Sequence, residues 1–312
     1  MNKIKTILET QNFIVLDGGL ASALEERGFD LNTALWSAEI LANHPAAIQQ
    51  VHYDYFQAGA DIAISASYQA SFEGFAAAGK GEAEIIELLQ LSVDLTKRAR
   101  IQFWQNTTQS GKRIYPLVAA SVGPYGAYLA DGSEYRGDYG LSVAELKNFH
   151  RKRLAVLVAA KPDLLAVETI PSQKEAQALL ELLAEAHPKQ MAWMSFSCRN
   201  ERQISDGTTW EELLPMLNAA TQIVAVGANC TKPKYISGII SNIRANSKKP
   251  IIVYPNRGED WDAEQHCWIP NEPSAAIDHL LEEWIALGAK LIGGCCRTNF
   301  ETIRKIRHIL QV

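Results

Sequence analysis

Two adjacent cysteines stand out in this 312-residue chain, which contains only five cysteines in all. Cys295 and Cys296 follow an apolar run and two glycines in the segment LIGGCCRT, and Cys230 ends another apolar run in GANCTKP. Adjacent cysteines rarely form a disulfide with each other because the geometry is strained. Glycines 293 and 294 are expected to let the backbone turn, so that both following thiols face one site. Together the three thiols could bind a metal ion.

Three thiolates suit a tetrahedral zinc site whose fourth position stays open to solvent or substrate. Sulfur ligands favour zinc over magnesium or calcium, and the lack of a C-x-x-C pair argues against a structural zinc ribbon. A free thiol with a pKa of about 8.5 is only slightly ionised at pH 7, whereas a metal-bound thiol is deprotonated outright. We therefore expect one zinc ion per chain, activating a substrate thiol for alkylation without a dedicated side-chain base. The alternative is that the three cysteines are small buried apolar residues.

Short apolar runs alternate with longer amphipathic stretches along the whole chain, which predicts eight strand–helix pairs. We expect residues 1–312 to form a single domain, a (β/α)8 TIM barrel with extended βα loops. A doubly wound open sheet is the alternative. The predicted strands are Phe13–Leu16, Ile62–Ser65, Tyr115–Ala120, Leu164–Val167, Met191–Ser197, Ile223–Ala228, Ile251–Tyr254 and Leu291–Ile292.

The barrel would place the candidate ligands at one mouth, because active sites of such barrels lie where the strands end. Cys230 follows the sixth predicted strand, while Cys295 and Cys296 follow the eighth. Ends that are two strands apart lie within reach of one ion. Cys198 and Cys267 do not fit the ligand pattern, and we expect a packed strand-end residue and a loop thiol, respectively.

Several motifs of the chain resemble those of the homocysteine S-methyltransferases, and the resemblance covers essentially the whole chain in order. It is closest to the branch that uses S-methylmethionine or S-adenosylmethionine as methyl donor, and it implies a (β/α)8 barrel. It also implies that Cys230, Cys295 and Cys296 hold the zinc. The motifs are LDGGLASALEERG, AGADIAISASYQAS, SVGPYGAYLADGSEYRGDY, AVETIPSQKEA, GANCTKP, VYPNRGE and GGCCRT.

The same resemblance assigns the acceptor site. Asp17 and Glu168 would bind the ammonium group of homocysteine, and the backbone amides of Gly18 and Gly19 would lie near its carboxylate. A charged amino acid that enters a barrel mouth needs opposite charges placed for it. Asp17 could instead be a turn residue that precedes two glycines.

The methyl donor is a cation, so aromatic rings and carboxylates are expected along its path. Tyr68 is the first candidate for a substrate contact. Weaker candidates for the donor site, all in loops after predicted strands, are Phe72, Tyr125, Glu259 and Trp261.

The expected reaction is transfer of a methyl group from the sulfonium donor to the thiol of L-homocysteine, forming methionine. Betaine-using relatives have a longer C-terminal arm and a tyrosine after the glutamate, where this chain has Thr169, and cobalamin-using relatives carry additional domains. Methylation of a selenol or another thiol stays open. Two further hypotheses are a non-catalytic zinc- or redox-sensing barrel and a zinc hydrolase with His266 or Cys267 near the metal.

Composition restricts the partners. The chain has 30 basic and 35 acidic residues without a basic patch, so we expect no nucleic-acid partner. It has no apolar signal segment and no membrane span, and an odd number of cysteines without such a signal indicates a reducing cytoplasm with free thiols. We expect small-molecule substrates and a monomer or weak homo-oligomer. The loop Ser121–Tyr139, without a clear helix, suits a lid or a subunit contact.

Overall fold

The computed structural model describes residues 2–31, 37–107, 113–262, 267–269 and 277–310. Within these ranges, only the backbone is described for residues 37, 260–262, 267–269 and 278. No helix in these ranges is long and apolar enough to cross a membrane.

Eight parallel strands form the central sheet. They are β1 (Ile14–Val15), β2 (Ile62–Ile64), β3 (Leu117–Val122), β4 (Leu164–Ile170), β5 (Ala192–Phe196), β6 (Ile223–Asn229), β7 (Ile251–Tyr254) and β10 (Ala289–Ile292). Their order in the sheet is β1-β10-β7-β6-β5-β4-β3-β2. A parallel bridge between Leu16 and Ile62 joins the two outer strands, so the sheet closes into a ring. The (β/α)8 barrel is thereby confirmed, and the doubly wound alternative is wrong.

Helices surround the ring, and several of them begin at caps that the sequence encodes. The helices are α1 (Lys3–Leu8), α2 (Leu20–Glu25), α3 (Ser37–Asn43), α4 (Pro45–Ala58), α5 (Phe72–Ala77), α6 (Glu82–Asn106), α7 (Tyr125–Leu129), α8 (Val143–Ala159), α9 (Gln173–Ala186), α10 (Trp210–Ala219), α11 (Pro233–Asn246), α12 (Ile277–Leu287) and α13 (Phe300–Leu310). Ser142 and Glu145 form a capping box at the start of α8, as their spacing predicts.

The two faces of each strand pack in two different hydrophobic cores, one inside the barrel and one between the strands and the surrounding helices. On β4, Leu164 and Ala166 point into the barrel, while Leu165 and Val167 pack against the helices. This alternation is the two-residue period of a strand. Because both faces are buried, the strands are continuous apolar runs, which is why all eight were predicted near their observed positions.

Three local expectations need correction. The third strand begins at Leu117, two residues later than predicted, since Pro116 has no N–H to donate and Tyr115 is 44% exposed. The loop Ser121–Tyr139 was expected to lack a helix, but it contains α7 and a 3-10 turn at Ser133–Tyr135. An antiparallel hairpin, β8 (Asp260–Asp262) with β9 (Cys267–Ile269), was not predicted.

Asp61 links the barrel to the C-terminal helix. It is fully buried just before β2, and its Oδ2 accepts a hydrogen bond from the Val15 N–H at 3.0 Å. The Arg307 guanidinium of α13 binds both carboxylate oxygens at 2.9 and 2.8 Å. Arg113 lies beside the pair, and burial, together with Arg307, lowers its pKa to about 10. Asp61 therefore holds two arginines near each other where the ring closes.

We predict that Asp61→Asn lowers the free energy of unfolding by at least about 2 kcal/mol, because the arginines lose their buried counter-charge. The midpoint of urea unfolding, followed by circular dichroism, measures this change. The control is Glu9→Gln, which removes an exposed carboxylate 4.0 Å from Lys5 and should leave the midpoint unchanged. Equal midpoints for both variants would contradict the structural role of Asp61.

Candidate active site and metal centre

A cavity of about 910 Å³, counting its open mouth, lies at the carboxyl ends of the barrel strands. Every residue that the sequence assigns to the metal or the acceptor contributes to its wall, and so does the first donor candidate. These residues are Asp17, Gly18, Gly19, Tyr68, Glu168, Cys230, Cys295 and Cys296. The barrel thus brings together residues that are up to 279 positions apart in the chain.

The three cysteine sulfurs form one cluster and lie within 4.8 Å of one another. The Cys296 Sγ atom is 3.9 Å from the Sγ atoms of Cys230 and Cys295. The order β6-β7-β10 places their strands two apart, as predicted. Burial raises the pKa of the Cys296 thiol to about 12, and the negative charge of Glu134 is the next largest cause of the increase. Thiolates in such a negative environment need a cation beside them, so the cluster could hold a metal ion.

The expectation that all cysteines are free thiols is wrong for one pair, because Cys230 and Cys295 are joined by a disulfide. Their Cα atoms are 5.5 Å apart, which lies within the range that a disulfide spans. A turn that converges thiolates on one ion therefore also brings two of them within bonding distance. A disulfide sulfur is not a thiolate ligand, so metal binding by all three cysteines requires the reduced pair.

Backbone hydrogen bonds between neighbouring strand ends hold the cysteine segments. The Cys230 N–H donates to the Tyr254 carbonyl at 3.2 Å, and the Cys295 N–H donates to the Pro255 carbonyl at 2.9 Å. Cys230 itself has a positive φ of 46°, which ends the extended path of β6. The thiols are therefore placed by the barrel itself.

Glycines 293 and 294 are needed for close packing, and neither has a positive φ. A Cβ atom on Gly293 would lie 2.8 Å from the Asp17 carbonyl oxygen, and one on Gly294 would lie 2.1 Å from the Thr298 Oγ1. The thiols converge as expected, but the glycines permit this through close packing and not through a left-handed backbone conformation. Gly293 allows the cysteine segment to pass directly against the Asp17 strand end, and Gly294 leaves room for the Thr298 side chain.

Two buried carboxyl groups face the cavity near the sulfurs. The Asp17 Oδ2 accepts a hydrogen bond from the Ile64 N–H at 2.8 Å, and burial, with a contribution from Glu168, raises the pKa of Asp17 well above its usual value. Burial also raises the pKa of Glu168 to about 7. Both groups are poorly solvated as anions, so a cationic group that enters the cavity would stabilise their charged forms.

Hydrogen bonds orient Glu168. The Ser121 hydroxyl donates to its Oε1, and the Tyr254 hydroxyl donates to its Oε2 at 3.0 Å. The next residue, Thr169, has a positive φ of 58°, and its N–H donates to the Asn229 Oδ1 at 2.7 Å. Sequence reasoning missed the roles of Tyr254 and Asn229, although both lie at predicted strand ends.

The remaining acceptor and donor candidates have defined surroundings. The Gly19 N–H donates to the Thr298 carbonyl at 3.2 Å, and a Cβ atom on Gly18 would lie 2.9 Å from the Tyr55 hydroxyl. Tyr68 lines the cavity together with Glu168 and Thr169. Both glycines and Tyr68 therefore belong to the same packed wall.

The family-level sequence model described as homocysteine S-methyltransferase matches residues 14–310. The chain is 49% identical over 306 residues to homocysteine S-methyltransferase YbgG of Bacillus subtilis, covering 98% of this chain and 97% of that protein. The chain belongs to the homocysteine S-methyltransferase family. It is therefore a methyltransferase.

Solved structures agree with this methyltransferase fold. The metallated form of the homocysteine methyltransferase MmuM from Escherichia coli has a TM-score of 0.89 at 42% identity, covering 99% of this chain and all of that one. A structure of MmuM in its oxidised form matches with the same score and coverage. The same fold has thus been described in a metallated and in an oxidised form for that protein.

Three of the weaker donor candidates have other contacts in this methyltransferase and do not line the cavity. The Phe72 ring lies 5.6 Å from the Lys152 ammonium, and the Tyr125 ring packs 4.9 Å from that of Phe149. Glu259 forms an ion pair with Arg297 at 3.1 Å. The side chain of Trp261 lies outside the described residues, as do His266 and the side chain of Cys267.

Two residues of the 3-10 turn complete the cavity wall instead. Glu134 and Tyr135 line it together with Tyr68. They lie within the motif SVGPYGAYLADGSEYRGDY, but sequence reasoning treated this segment as a candidate lid or subunit contact and named only Tyr125 from it as a donor-site candidate. Its richness in glycine and tyrosine gave no indication of which side chains face the cavity.

The raised pKa of Glu168 predicts a specific pH dependence of stability. Between its ordinary value of 4.5 and about 7, the folded protein keeps a proton that the unfolded chain releases. Stability therefore falls as pH rises through this window. Glu168→Gln cannot ionise, so relative to wild type it should gain on the order of 3 kcal/mol between pH 4.5 and pH 7.

Urea unfolding of wild type and Glu168→Gln at closely spaced pH values measures this difference. Glu87→Gln replaces an exposed carboxylate and should keep the wild-type slope. Parallel curves for wild type and Glu168→Gln would show that burial does not perturb Glu168 in this way.

Proposed function

We propose that this methyltransferase transfers a methyl group from a sulfonium donor, S-methylmethionine or S-adenosylmethionine, to the thiol of L-homocysteine, forming methionine. The observation that supports this most strongly is the shared cavity, in which three cysteine sulfurs lie beside two buried carboxyl groups. A thiol that also carries an ammonium group matches both features. The names of the relatives support homocysteine as the acceptor.

Cys230, Cys295 and Cys296 would hold one zinc ion after reduction of the disulfide. In a tetrahedral zinc site with Zn–S bonds of about 2.3 Å, the sulfurs are about 3.8 Å apart. The separations of Cys296 from both other sulfurs, 3.9 Å each, fit this value. Zinc bound there would supply an open coordination position that holds a substrate thiol in its deprotonated form. The cytoplasmic location predicted from the sequence would keep the pair reduced.

The carboxyl groups of Asp17 and Glu168 would bind and orient the amino acid acceptor. An ammonium group between them gains two charge-assisted hydrogen bonds and restores their ionised forms. Ser121 and Tyr254 hold Glu168 in place by donating to separate oxygens. The acceptor sulfur would then be directed toward the cysteine segment that packs against Asp17.

Methionine formation tests the proposal. Reduced protein is incubated with homocysteine and, separately, S-methylmethionine, S-adenosylmethionine or betaine, each with and without a zinc chelator. We expect methionine from a sulfonium donor, chelator-sensitive turnover and little or no product from betaine. Wild-type protein that retains zinc but forms no methionine from any donor would contradict the proposed reaction.

Cysteine variants test the metal centre independently of turnover. Cys296→Ser should lower the affinity for zinc by at least about tenfold, because one of the three thiolates is lost. Its zinc content after dialysis should therefore fall below one ion per chain. Cys198→Ser is the matched control: Cys198 follows β5 at the same end of the barrel but lies outside the sulfur cluster. Elemental analysis after dialysis measures the zinc. Equal zinc in both variants would exclude the three-cysteine site.

A further inference from the structure

Glu134 lines the cavity but has no part in the proposed acceptor site. Its Oε2 atom is shielded from solvent and has no hydrogen-bond partner among the residues that the structure describes. Arg136, the cation of the same loop, is 53% exposed and lies 3.7 Å from Asp131 and 3.6 Å from Asp138. Leaving a shielded carboxylate oxygen unpaired is costly. A positively charged ligand would remove that cost.

The position of Glu134 is fixed by the turn that carries it. The Ser197 hydroxyl, at the end of β5, donates to the Glu134 carbonyl at 2.7 Å. The Ser133 N–H donates to the Asp131 Oδ1 at 2.9 Å. A Cβ atom on Gly126 would lie 2.4 Å from the Glu134 nitrogen, so the turn packs directly on α7. The carboxyl group is therefore held at the cavity wall by packed backbone.

Two tyrosine rings accompany this carboxyl group. Tyr68 and Tyr135 both line the cavity. Burial raises the pKa of each, and the charge of Glu134 adds to the increase in both. Cys296 lines the same cavity. Aromatic faces beside a carboxylate suit a cation that has no N–H to donate.

We propose that Glu134 is the anionic contact for the sulfonium centre of the methyl donor, and that it makes the cavity prefer the charged donor over a neutral thioether. This inference rests on the proposed function. It assigns the two strand-end carboxylates to the acceptor ammonium and the third carboxylate to the donor sulfur.

The charge balance of the reaction determines what this contact does. The acceptor thiolate uses a lone pair to form the new S–CH3 bond. The donor C–S bond breaks, and its electron pair stays on the donor sulfur, which becomes a neutral thioether. The cation that faces Glu134 is therefore present before transfer and absent afterwards. Glu134 should contribute to donor binding and to product release more than to the rate of the chemical step.

Steady-state kinetics of Glu134→Gln test the assignment in the zinc-loaded protein. The donor KM should rise by at least about tenfold, as expected for loss of a shielded charge contact. The homocysteine KM and the zinc content should stay within about twofold of wild type. Asp138→Asn, which removes an exposed carboxylate from the same loop, should keep the wild-type donor KM.

A pair of inhibitors separates charge from shape. The trimethylammonium analogue of S-methylmethionine carries the same positive charge, and its tert-butyl isostere is neutral. With homocysteine saturating, wild type should bind the charged analogue at least about tenfold more tightly. Glu134→Gln and Glu134→Ala should both lose this preference. If both variants keep the wild-type donor KM and the preference for the charged analogue, the assignment of Glu134 to the donor is wrong. If wild type forms no methionine, the proposed reaction itself is wrong.

Discussion

The site depends on one backbone contact, the hydrogen bond of 3.0 Å from the Gly294 N–H to the Asp17 carbonyl. It joins the segment that carries two cysteines to the strand end that carries the first carboxylate. This contact exists because β10 pairs with β1 in the sheet. A bulkier residue at position 293 would separate the two segments. The pairing of the first and last barrel strands therefore also assembles the chemistry of the mouth.

The mouth concentrates negative charge in a poorly solvated place. Burial raises the pKa values of Glu134 and Glu168 to about 7 and that of Cys296 to about 12. The two carboxyl groups oppose folding near neutral pH, since each loses its hydration as an anion without a nearby cation, whereas the Cys296 thiol stays neutral there. The arrangement is consistent with a site whose ligands are themselves cationic. Asp61 and its arginines, at the opposite ends of the strands, supply compensating stability away from the chemistry.

The fold and the sulfur cluster were predictable because both follow simple rules. Strands buried on both faces are continuous apolar runs, and thiols that directly follow them must meet at one mouth. Glu134 and Tyr135 were missed because their position depends on tertiary contacts of a long loop, namely the packing on Gly126 and the Ser197 hydrogen bond. No local periodicity encodes these contacts. The packing role of Gly293 was missed for the same reason, since the segment that it touches, at Leu16 and Asp17, is distant in sequence.

The disulfide between Cys230 and Cys295 follows from the same convergence that makes a metal site possible. Thiolates held for one ion repel each other, so in the absence of a cation they are stabilised by protonation, or by oxidation to a disulfide when an external oxidant accepts two electrons. Cys296 stays a free thiol, although it lies equally near both partners. Its place next to Cys295 disfavours a bond between these two, because adjacent cysteines form a strained disulfide, and the bond that forms joins two different strand ends. Adjacency therefore supplies two ligands to one ion and leaves the third strand-end thiol as the oxidation partner.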